Sequence, residues 1–472
     1  MIGLYIARIT IEAMSPLSVG SGEAGVSDVL LVRDANGLPM IAGASLQGLM
    51  KALAGRDGLT CRDDLLGSED KPGRIRFSNA RIHGGNDEAV SGVMLAGVQD
   101  ELLKRYLVDE PLKRDHVKID HRGAGEDSNR GKFDRSALPR GTRLSFELTM
   151  WGKADDEAGF LSILSLVRHP LFRPGGATRR GYGRVQVHAG GWKYWPDPVN
   201  SVKVIVELRQ LSFSKVDDLD NAIPVYAGVG LVSYILTLTS DSWWRAGGDG
   251  ERVRTGQNLH TSADNRAEDT DLAFTREPSI CWVNTNRERW QEPGQAITED
   301  FVLAGSTIRG ALWHRTLFHW NRLNELLFDG DTPETASSIA AFKKASVAPP
   351  PLLALFGAVK TDTSGQRSAL IVEDLVFRPT EVTAADHVKI DRFTGGATTG
   401  ALFSEELVWT GAQELELAMI VDTKLLVERL PDNHEDVLTA FKAAVDDLCI
   451  GRLALGAKSS GFFMGTCTEE AA

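Results

Sequence analysis

The sequence predicts an α+β protein built from two tandem ferredoxin-like units, each an antiparallel sheet with helices on one face. The hexapeptide at 115–120 recurs letter for letter at 386–391, and its flanking segments recur in the same order. Within each copy, segments that alternate apolar and polar residues interleave with segments of helical periodicity. That interleaving is typical of a sheet covered by helices rather than of an all-helical or all-strand fold.

Further matched segments support the duplication. The offset between the copies grows from 243 residues at Asp28 and Asp271 to 280 at Gly176 and Gly456. A steady rise is expected when the second copy of one fold carries longer loops. The other matched pairs are 6–11 with 234–239, 20–23 with 248–251, 28–34 with 271–277, 41–48 with 303–310, and 175–182 with 455–462.

The elements of each copy are predicted in the order strand, glycine-rich loop, helix, strands, helix, glycine-rich loop, strand. The helix after Gly43 has Ser45 as its expected N-cap and one apolar stripe. The stripe consists of Leu46, Leu49, Met50 and Leu53, and its counterpart after Gly305 consists of Ile308, Leu312 and Leu317. Strand alternation is clear at 144–148 and again at 415–419. We expect the first unit at 1–195, a connector at 196–229 and the second unit at 230–472.

Composition restricts the class of protein. Of 472 residues, 42% are hydrophobic and 25% charged, which indicates folded cores rather than disorder. A net charge of −12 argues against a protein that coats duplex DNA with its whole surface, although a local basic groove remains compatible. Four cysteines without a C-x-x-C pair predict neither a disulfide scaffold nor a structural zinc site. The N-terminus lacks the pattern of a signal peptide, and no apolar run is long enough to span a bilayer. We therefore expect a cytoplasmic protein.

Two acidic loops are candidate catalytic elements. Asp28 ends a loop of small residues directly before an apolar strand, and Asp271 ends an acidic stretch at the matched position. A carboxylate on such a loop is able to bind Mg²⁺ or accept a proton, but an aspartate that caps a turn has the same local pattern. Asp264 and Asp269 are rivals in the second copy, where the loop is longer.

Three other elements carry residues suited to RNA. The turn at 43–48 leads into a helix N-terminus, where free N–H groups receive phosphates, although an ordinary capped helix has the same pattern. In the repeated hexapeptide, strand alternation places His116, Lys118 and Asp120 outward and Val117 and Ile119 inward. A solvated strand face fits that pattern equally well. The loop at 173–184 is the most basic short stretch, with four arginines among glycines and Tyr182.

Taken together, these sequence segments resemble those of the RAMP superfamily, the repeat-associated RNA-binding proteins of CRISPR systems. The resemblance is carried by the loop 18–22, by Asp28 with the turn at 33–39, by 43–48, by the segment around Ile119-Asp120 and by the late glycine-rich loop. It is greatest to the backbone subunits of type III effector complexes. A chain with two such units looks like a fused double-backbone variant. The resemblance implies a modified RNA-recognition fold in each unit, with a palm and a projecting thumb.

The resemblance also implies functions for particular residues. Asp28 and Asp271 are the implied catalytic residues for cleavage of complementary target RNA, with a divalent metal ion, Mg²⁺, as the expected cofactor. Guide RNA, target RNA and other subunits of the effector complex are the expected partners, with no membrane. The implied RNA contacts are Ser45, Lys51, His116, Lys118, Arg122, Arg179, Arg180, Tyr182, Arg309, His387, Lys389, Arg392 and Lys458.

Two alternative functions remain open at this stage. One is a non-catalytic RNA-binding scaffold of the same kind of complex, in which the aspartates are incidental. The other is a stand-alone ribonuclease that processes guide RNA, which usually acts through histidine chemistry, with His116 or His387 as the catalytic acid. Two other motifs are rejected. The segment 451–459 has the wrong glycine-lysine spacing for a P-loop, and His314 and His319 are five residues apart and do not share a helix face.

Overall fold

A computed structural model describes residues 2–22, 29–117, 132–196, 198, 223, 226, 229–247, 271–282, 294–324, 350–361, 364–456 and 460–471. In the first unit the elements are β1 (Gly3–Ala13), β2 (Met40–Ile41), α1 (Gly43–Asp57), α2 (Arg62–Leu66), β3 (Ile75–Phe77), β4 (Ala80–Ile82), α3 (Glu101–Tyr106), β5 (Leu112–Val117), β6 (Lys132–Ala137), β7 (Arg143–Gly152), α4 (Glu157–Ser165) and β8 (Val185–Trp195). Its main sheet has the antiparallel order β2-β4-β7-β1-β8, with β3 also paired to β7. Strands β5 and β6 form a separate hairpin.

The second unit repeats this plan with a larger set of elements. They are β9 (Leu231–Thr239), β10 (Arg276–Trp282), β11 (Gly294–Leu303), α5 (Gly305–Leu323), α6 (Pro350–Phe356), β12 (Ala358–Thr361), β13 (Ser364–Gln366), β14 (Leu370–Val372), β15 (Leu375–Phe377), β16 (Glu381–Ile390), β17 (Ala397–Trp409), β18 (Leu415–Asp422), α7 (Thr423–Arg429), α8 (His434–Cys449) and β19 (Met464–Ala471). The main sheet has the order β14-β18-β9-β19, and β16 and β17 form the separate hairpin.

The two units match in three dimensions, which confirms the predicted tandem α+β organisation. The first strand of each unit lies in the middle of its sheet, β1 between β7 and β8, and β9 between β18 and β19. Each unit also has a hairpin with a stacked histidine and phenylalanine at matched positions. The ring centroids are 4.9 Å apart for His116 and Phe133, and 5.1 Å apart for His387 and Phe403. The limits 1–195, 196–229 and 230–472 stay a prediction.

The first helix of each unit begins at a glycine that packs against the sheet. A Cβ added to Gly43 would lie 2.4 Å from the Phe77 carbonyl oxygen, and one added to Gly305 would lie 2.4 Å from the Val372 carbonyl oxygen. Only glycine permits this close approach. The predicted N-cap at Ser45 is wrong, because the N-cap position is Ala42 and Ser45 lies inside the first turn.

In each unit, a side chain from another segment accepts a hydrogen bond from the first amide of the helix instead. Asn79 Oδ1 accepts a hydrogen bond from the Gly43 amide at 2.9 Å, and Asp374 Oδ1 accepts one from the Gly305 amide at 2.7 Å. These acceptors occupy the place that a capping residue within the helix would otherwise take.

Two hydrophobic cores lie between the sheets and the helices, and the core of the first unit also includes Leu231, Ile280 and Ile371 of the second. In the first core, Leu46, Met50 and Phe160 pack against the sheet, and in the second, Ile308 and Phe441 do so. The predicted apolar stripe of α1 faces this core, with Leu46, Met50 and Leu53 buried and Leu49 partly buried. Within the part of the chain that is described, no helix is both long and apolar enough to cross a membrane.

Ion pairs between arginines and carboxylates join the two units, and all of them are arranged in the same way. In each pair the arginine belongs to the first unit and the carboxylate to the second. The pairs are Arg56 with Asp422 (2.8 Å), Arg114 with Glu277 (2.6 Å) and Asp374 (2.9 Å), Arg140 with Asp300, and Arg173 with Glu373. Arg114, Arg173 and most of the carboxylates are buried, so the junction excludes water from these charges.

Candidate nucleic-acid interface

Asp271 of the second unit lies beside the β16–β17 hairpin. One carboxylate oxygen, Oδ2, accepts hydrogen bonds from the Ser404 amide at 2.9 Å and from the Ser404 hydroxyl at 3.3 Å. The Asp271 amide in turn donates to Ser404 Oγ at 3.0 Å. The residue is exposed, and Oδ1 has no partner among the described residues. One oxygen is thus anchored while the other faces outward.

Backbone pairing supports the predicted match between the two acidic loops. Gly20 pairs with Leu31 in the first unit, and Gly247 pairs with Phe274 in the second. Asp28 stands three residues before Leu31, as Asp271 stands three before Phe274. The sequence comparison had matched Gly20 with Gly248, so that match was one residue out. Asp28 itself, and the rivals Asp264 and Asp269, lie outside the described residues.

The described side chains around Asp271 supply only some of the ligands that a metal ion needs. Among the described residues, no three histidine, cysteine, aspartate or glutamate side chains are grouped so as to hold an ion. Mg²⁺ in nucleic-acid enzymes is often bound by one or two carboxylates together with substrate phosphates and water, and the outward oxygen of Asp271 fits the first of these roles. The predicted metal cofactor stays a prediction.

The predicted outward orientation of His116 is wrong. Its side chain is buried, stacks on Phe133, and has Nε2 3.0 Å from the Tyr182 hydroxyl. The strand turns Leu112, Arg114 and His116 inward, toward the loop at 173–184 and the second unit. Burial, helped by the nearby arginines, lowers the pKa of His116 from 6.5 to about 3. A neutral, buried imidazole is not suited to contact RNA or to act as a catalytic acid at neutral pH.

The predicted stacking of Tyr182 on a base is also contradicted by burial. The ring has 0% exposed surface, and the guanidinium carbon of Arg114 lies 4.9 Å from its centroid. Burial raises the pKa of Tyr182 to about 12. Its structural counterpart in the second unit is the buried Phe463 rather than the half-exposed Phe462. Both residues fill the space under a glycine-rich loop, which is a packing role.

The β16–β17 hairpin of the second unit exposes more of the residues that were predicted to contact RNA. His387 is half-buried with Nε2 2.7 Å from Glu405 Oε1, whereas Lys389 and Arg392 are exposed on and beside the hairpin tip. Val388 and Ile390, which match Val117 and Ile119, are 47% and 60% exposed, so the apolar residues of the second hexapeptide do not face inward. Lys389 and Arg392 remain available for phosphate contact.

The helix starts carry the next set of predicted contacts. Ser45 is exposed in the first turn of α1, and Lys51 is partly exposed two turns further on. Arg309 lies at the beginning of the second turn of α5 and is partly buried, with its guanidinium carbon 5.9 Å from the centroid of the Phe356 ring. Lys118, Arg122 and Lys458 lie outside the described residues.

The glycine-rich loop of the first unit places Arg179 and Arg180 at the junction with the second unit. Both are partly buried, and neither forms an ion pair within the described part of the chain, although the Asp422 carboxylate attracts Arg179. Burial and the neighbouring arginines lower the pKa of Arg179 to about 9 and also lower that of Arg180. Arg135, one of the basic residues that the sequence offers after the hexapeptide, acts on Arg180 through its charge. The second copy has Glu405 at the matched position.

The comparison with protein families matches two regions of the chain. The model of the RAMP superfamily covers residues 10–186 and 294–463, one region in each unit. These regions include most of the chain, so the chain belongs to the RAMP superfamily. Proteins of this superfamily are in general CRISPR-associated RNA-binding subunits. No curated protein matches the chain.

Proposed function

We propose that this RAMP protein is a guide-RNA-binding backbone subunit of a type III CRISPR interference complex, and that each of its two units cleaves complementary target RNA through an aspartate. Family membership supports RNA binding, and the duplicated unit supports two positions along one guide. Guide RNA, target RNA and the other subunits of the complex are the proposed partners, in the cytoplasm. The observation that carries the cleavage proposal is the geometry of Asp271.

The chemistry of RNA cleavage explains why that geometry matters. The 2′-hydroxyl of RNA is an internal nucleophile, so the protein must align it with the phosphorus, remove its proton and stabilise the charge at the phosphate. A carboxylate with one oxygen fixed by Ser404 and the other exposed is held in place without being neutralised. Asp271 is therefore suited to accept the proton or to orient a metal ion.

Histidine chemistry receives less support. His116 is buried and neutral, and His387 lies beside the Glu405 carboxylate. This arrangement disfavours the stand-alone processing ribonuclease, at least through His116. The scaffold without catalytic activity differs from the proposal only in the role of the two aspartates, and experiment separates them.

The test is cleavage by the reconstituted complex. The complex is assembled with guide RNA, incubated with labelled complementary target RNA and Mg²⁺, and compared with the same complex carrying Asp28→Ala and Asp271→Ala together. The proposal predicts that the double variant loads guide and binds target normally but does not cut. Asp432→Ala, an exposed aspartate in the turn before α8, is the matched control and should cut like wild type.

Either of two results would favour the scaffold. One is equal cleavage by wild type and double variant, which would place the active site in another subunit. The other is the absence of cutting by every complex that binds target RNA.

A further inference from the structure

In the part of the chain that the structure describes, three arginines lie at the junction of the two units with no carboxylate paired to them. Arg135 comes from β6, Arg180 from the glycine-rich loop and Arg309 from the second turn of α5. Arg180 lies over Phe133, two residues before Arg135 on β6, and its neighbour Gly181 packs against Asp374 at the start of α5. The positive charge of Arg180 acts on both Arg135 and Arg309. None of the three forms an ion pair with a described residue. This contrasts with the surrounding junction, where Arg56, Arg114, Arg140 and Arg173 are each paired with a carboxylate.

Parts of these guanidinium groups are buried without hydrogen-bond partners. The Nε atoms of Arg135 and Arg309 are both inaccessible to solvent and unbonded. Arg135 makes one long hydrogen bond, 3.4 Å from Nη1 to Ser18 Oγ, and Arg180 lies over the Phe133 ring at 5.6 Å. A buried, unpaired positive charge is costly to a fold, so a site that gathers three of them is poised to receive an anion.

The second unit has the same structural position, but there it is neutralised. Leu17 pairs with Leu138 in the first unit as Trp244 pairs with Val408 in the second. By that pairing, Ser18 and Arg135 correspond to Arg245 and Glu405. Arg245 Nε lies 3.1 Å from Glu405 Oε2, so this arginine has its counter-charge within the protein. Among the described residues of the first unit, no carboxylate takes the place of Glu405, and Arg135 stands there instead.

We infer that Arg135, Arg180 and Arg309 form one composite site for a phosphodiester of the RNA backbone, shared by the two units, whereas the corresponding position of the second unit is closed by Glu405. The inference rests on the proposed RNA-binding function and deepens it. The bound phosphate completes the charge balance of the junction. A guanidinium group is suited to this ligand, because its planar donors match two phosphate oxygens at once.

The start of α5 is fixed at the junction. Arg309 is the fifth residue of this helix of 19 residues, at the beginning of its second turn. Asp374 satisfies the Gly305 amide at the N-terminal end of the helix and also holds Arg114, so the helix start and the junction are fixed together. Burial and the charge of Arg180 lower the pKa of Arg309 to about 10, which still leaves it protonated at neutral pH.

The test measures binding of a short, labelled single-stranded RNA to the full-length chain over a range of salt concentrations. The variant Arg180→Gln/Arg309→Gln should weaken binding by about a hundredfold and reduce the dependence on salt by about one phosphate contact. Its thermal midpoint should be unchanged or higher, because the substitutions remove unpaired buried charge. Glu405→Gln should strengthen binding, because it frees Arg245.

The controls separate the possible sources of failure. Arg62→Gln, which removes an exposed arginine paired with Asp63, should leave the affinity unchanged.

If wild type does not bind RNA, the proposed function itself fails. If wild type binds and the double variant binds with the same affinity and salt dependence, only the composite site is refuted. A lower thermal midpoint with weaker binding would show that the arginines hold the fold and would also refute the site. Inorganic phosphate at matched ionic strength should not displace the RNA; displacement would assign the site to a free oxyanion instead.

Discussion

At the scale of single residues, burial decides which polar side chains remain available for RNA. His116 and Tyr182 lie in segments that look like a nucleic-acid surface, yet both are buried and hydrogen-bonded to each other. Strand alternation distinguishes two faces but does not tell which one meets a neighbouring unit. The sequence therefore predicted the strand correctly and assigned its faces the wrong way round.

Burial of His116 predicts a particular pH dependence of stability. The folded state holds its pKa near 3, whereas the unfolded chain has the ordinary value of 6.5. The unfolded state therefore binds the proton first, and the stabilisation is fully present above pH 6.5 and lost as pH falls toward 3. Over that range His116 contributes a slope of at most about 1.4 kcal/mol per pH unit.

The measurement is the free energy of unfolding in denaturant at pH 7 and pH 5, for wild type and for His116→Gln. Wild type should lose more stability than the variant between the two values. Equal losses would show that the histidine is not buried in its neutral form.

At the scale of elements, the start of each first helix depends on a glycine packed against the sheet. Gly43→Ala would place a Cβ 2.4 Å from the Phe77 carbonyl oxygen, and the helix would have to move. We expect a loss of more than about 2 kcal/mol in the free energy of unfolding.

A second glycine in the same helix provides the matched control. Gly48 is exposed, and a Cβ there would meet nothing within 4 Å. Gly48→Ala should stabilise the protein by up to about 1 kcal/mol, because alanine is the better helix former. Equal and small effects of the two substitutions in denaturant unfolding would contradict the packing described for Gly43.

The helix starts also show how far local sequence predicts structure. The matched segments 43–48 and 305–310 fixed the place of both helices, because their glycines and apolar stripes are local signals. The residues that satisfy the helix ends, Asn79 and Asp374, lie far along the chain. No local pattern links them to the helix, so Ser45 was taken for the N-cap.

At the scale of the whole molecule, the ion pairs make the junction asymmetric, with positive side chains on one unit and negative side chains on the other. The first unit supplies the arginines, and the matched positions of the second unit hold Phe318, Ala385 and Ala454 in place of Arg56, Arg114 and Arg173. The second unit therefore does not offer the same contact to a further copy. The sequence predicts the duplication. It does not predict the asymmetry of the ion pairs, because the partners of each arginine lie in the other half of the chain.

The central pair of that junction predicts a large effect on stability. Arg114 is buried between Glu277 and Asp374. Arg114→Met would leave two buried carboxylates without a counter-charge, and we expect a loss of about 3–5 kcal/mol in the free energy of unfolding. Arg62→Ala, in an exposed pair, should change it by less than about 1 kcal/mol. A small effect at Arg114 in the same denaturation experiment would mean that the units do not depend on this contact.

The most direct test of the account is the pattern of target-RNA products from complexes that carry a single aspartate variant. If each unit holds its own active site, Asp28→Ala and Asp271→Ala should each abolish a different cut, with guide loading unchanged. Products mapped at nucleotide resolution, with Asp432→Ala as control, distinguish the two cuts. Loss of the same cut in both variants, or of none, would contradict the account of two separate active sites in one chain.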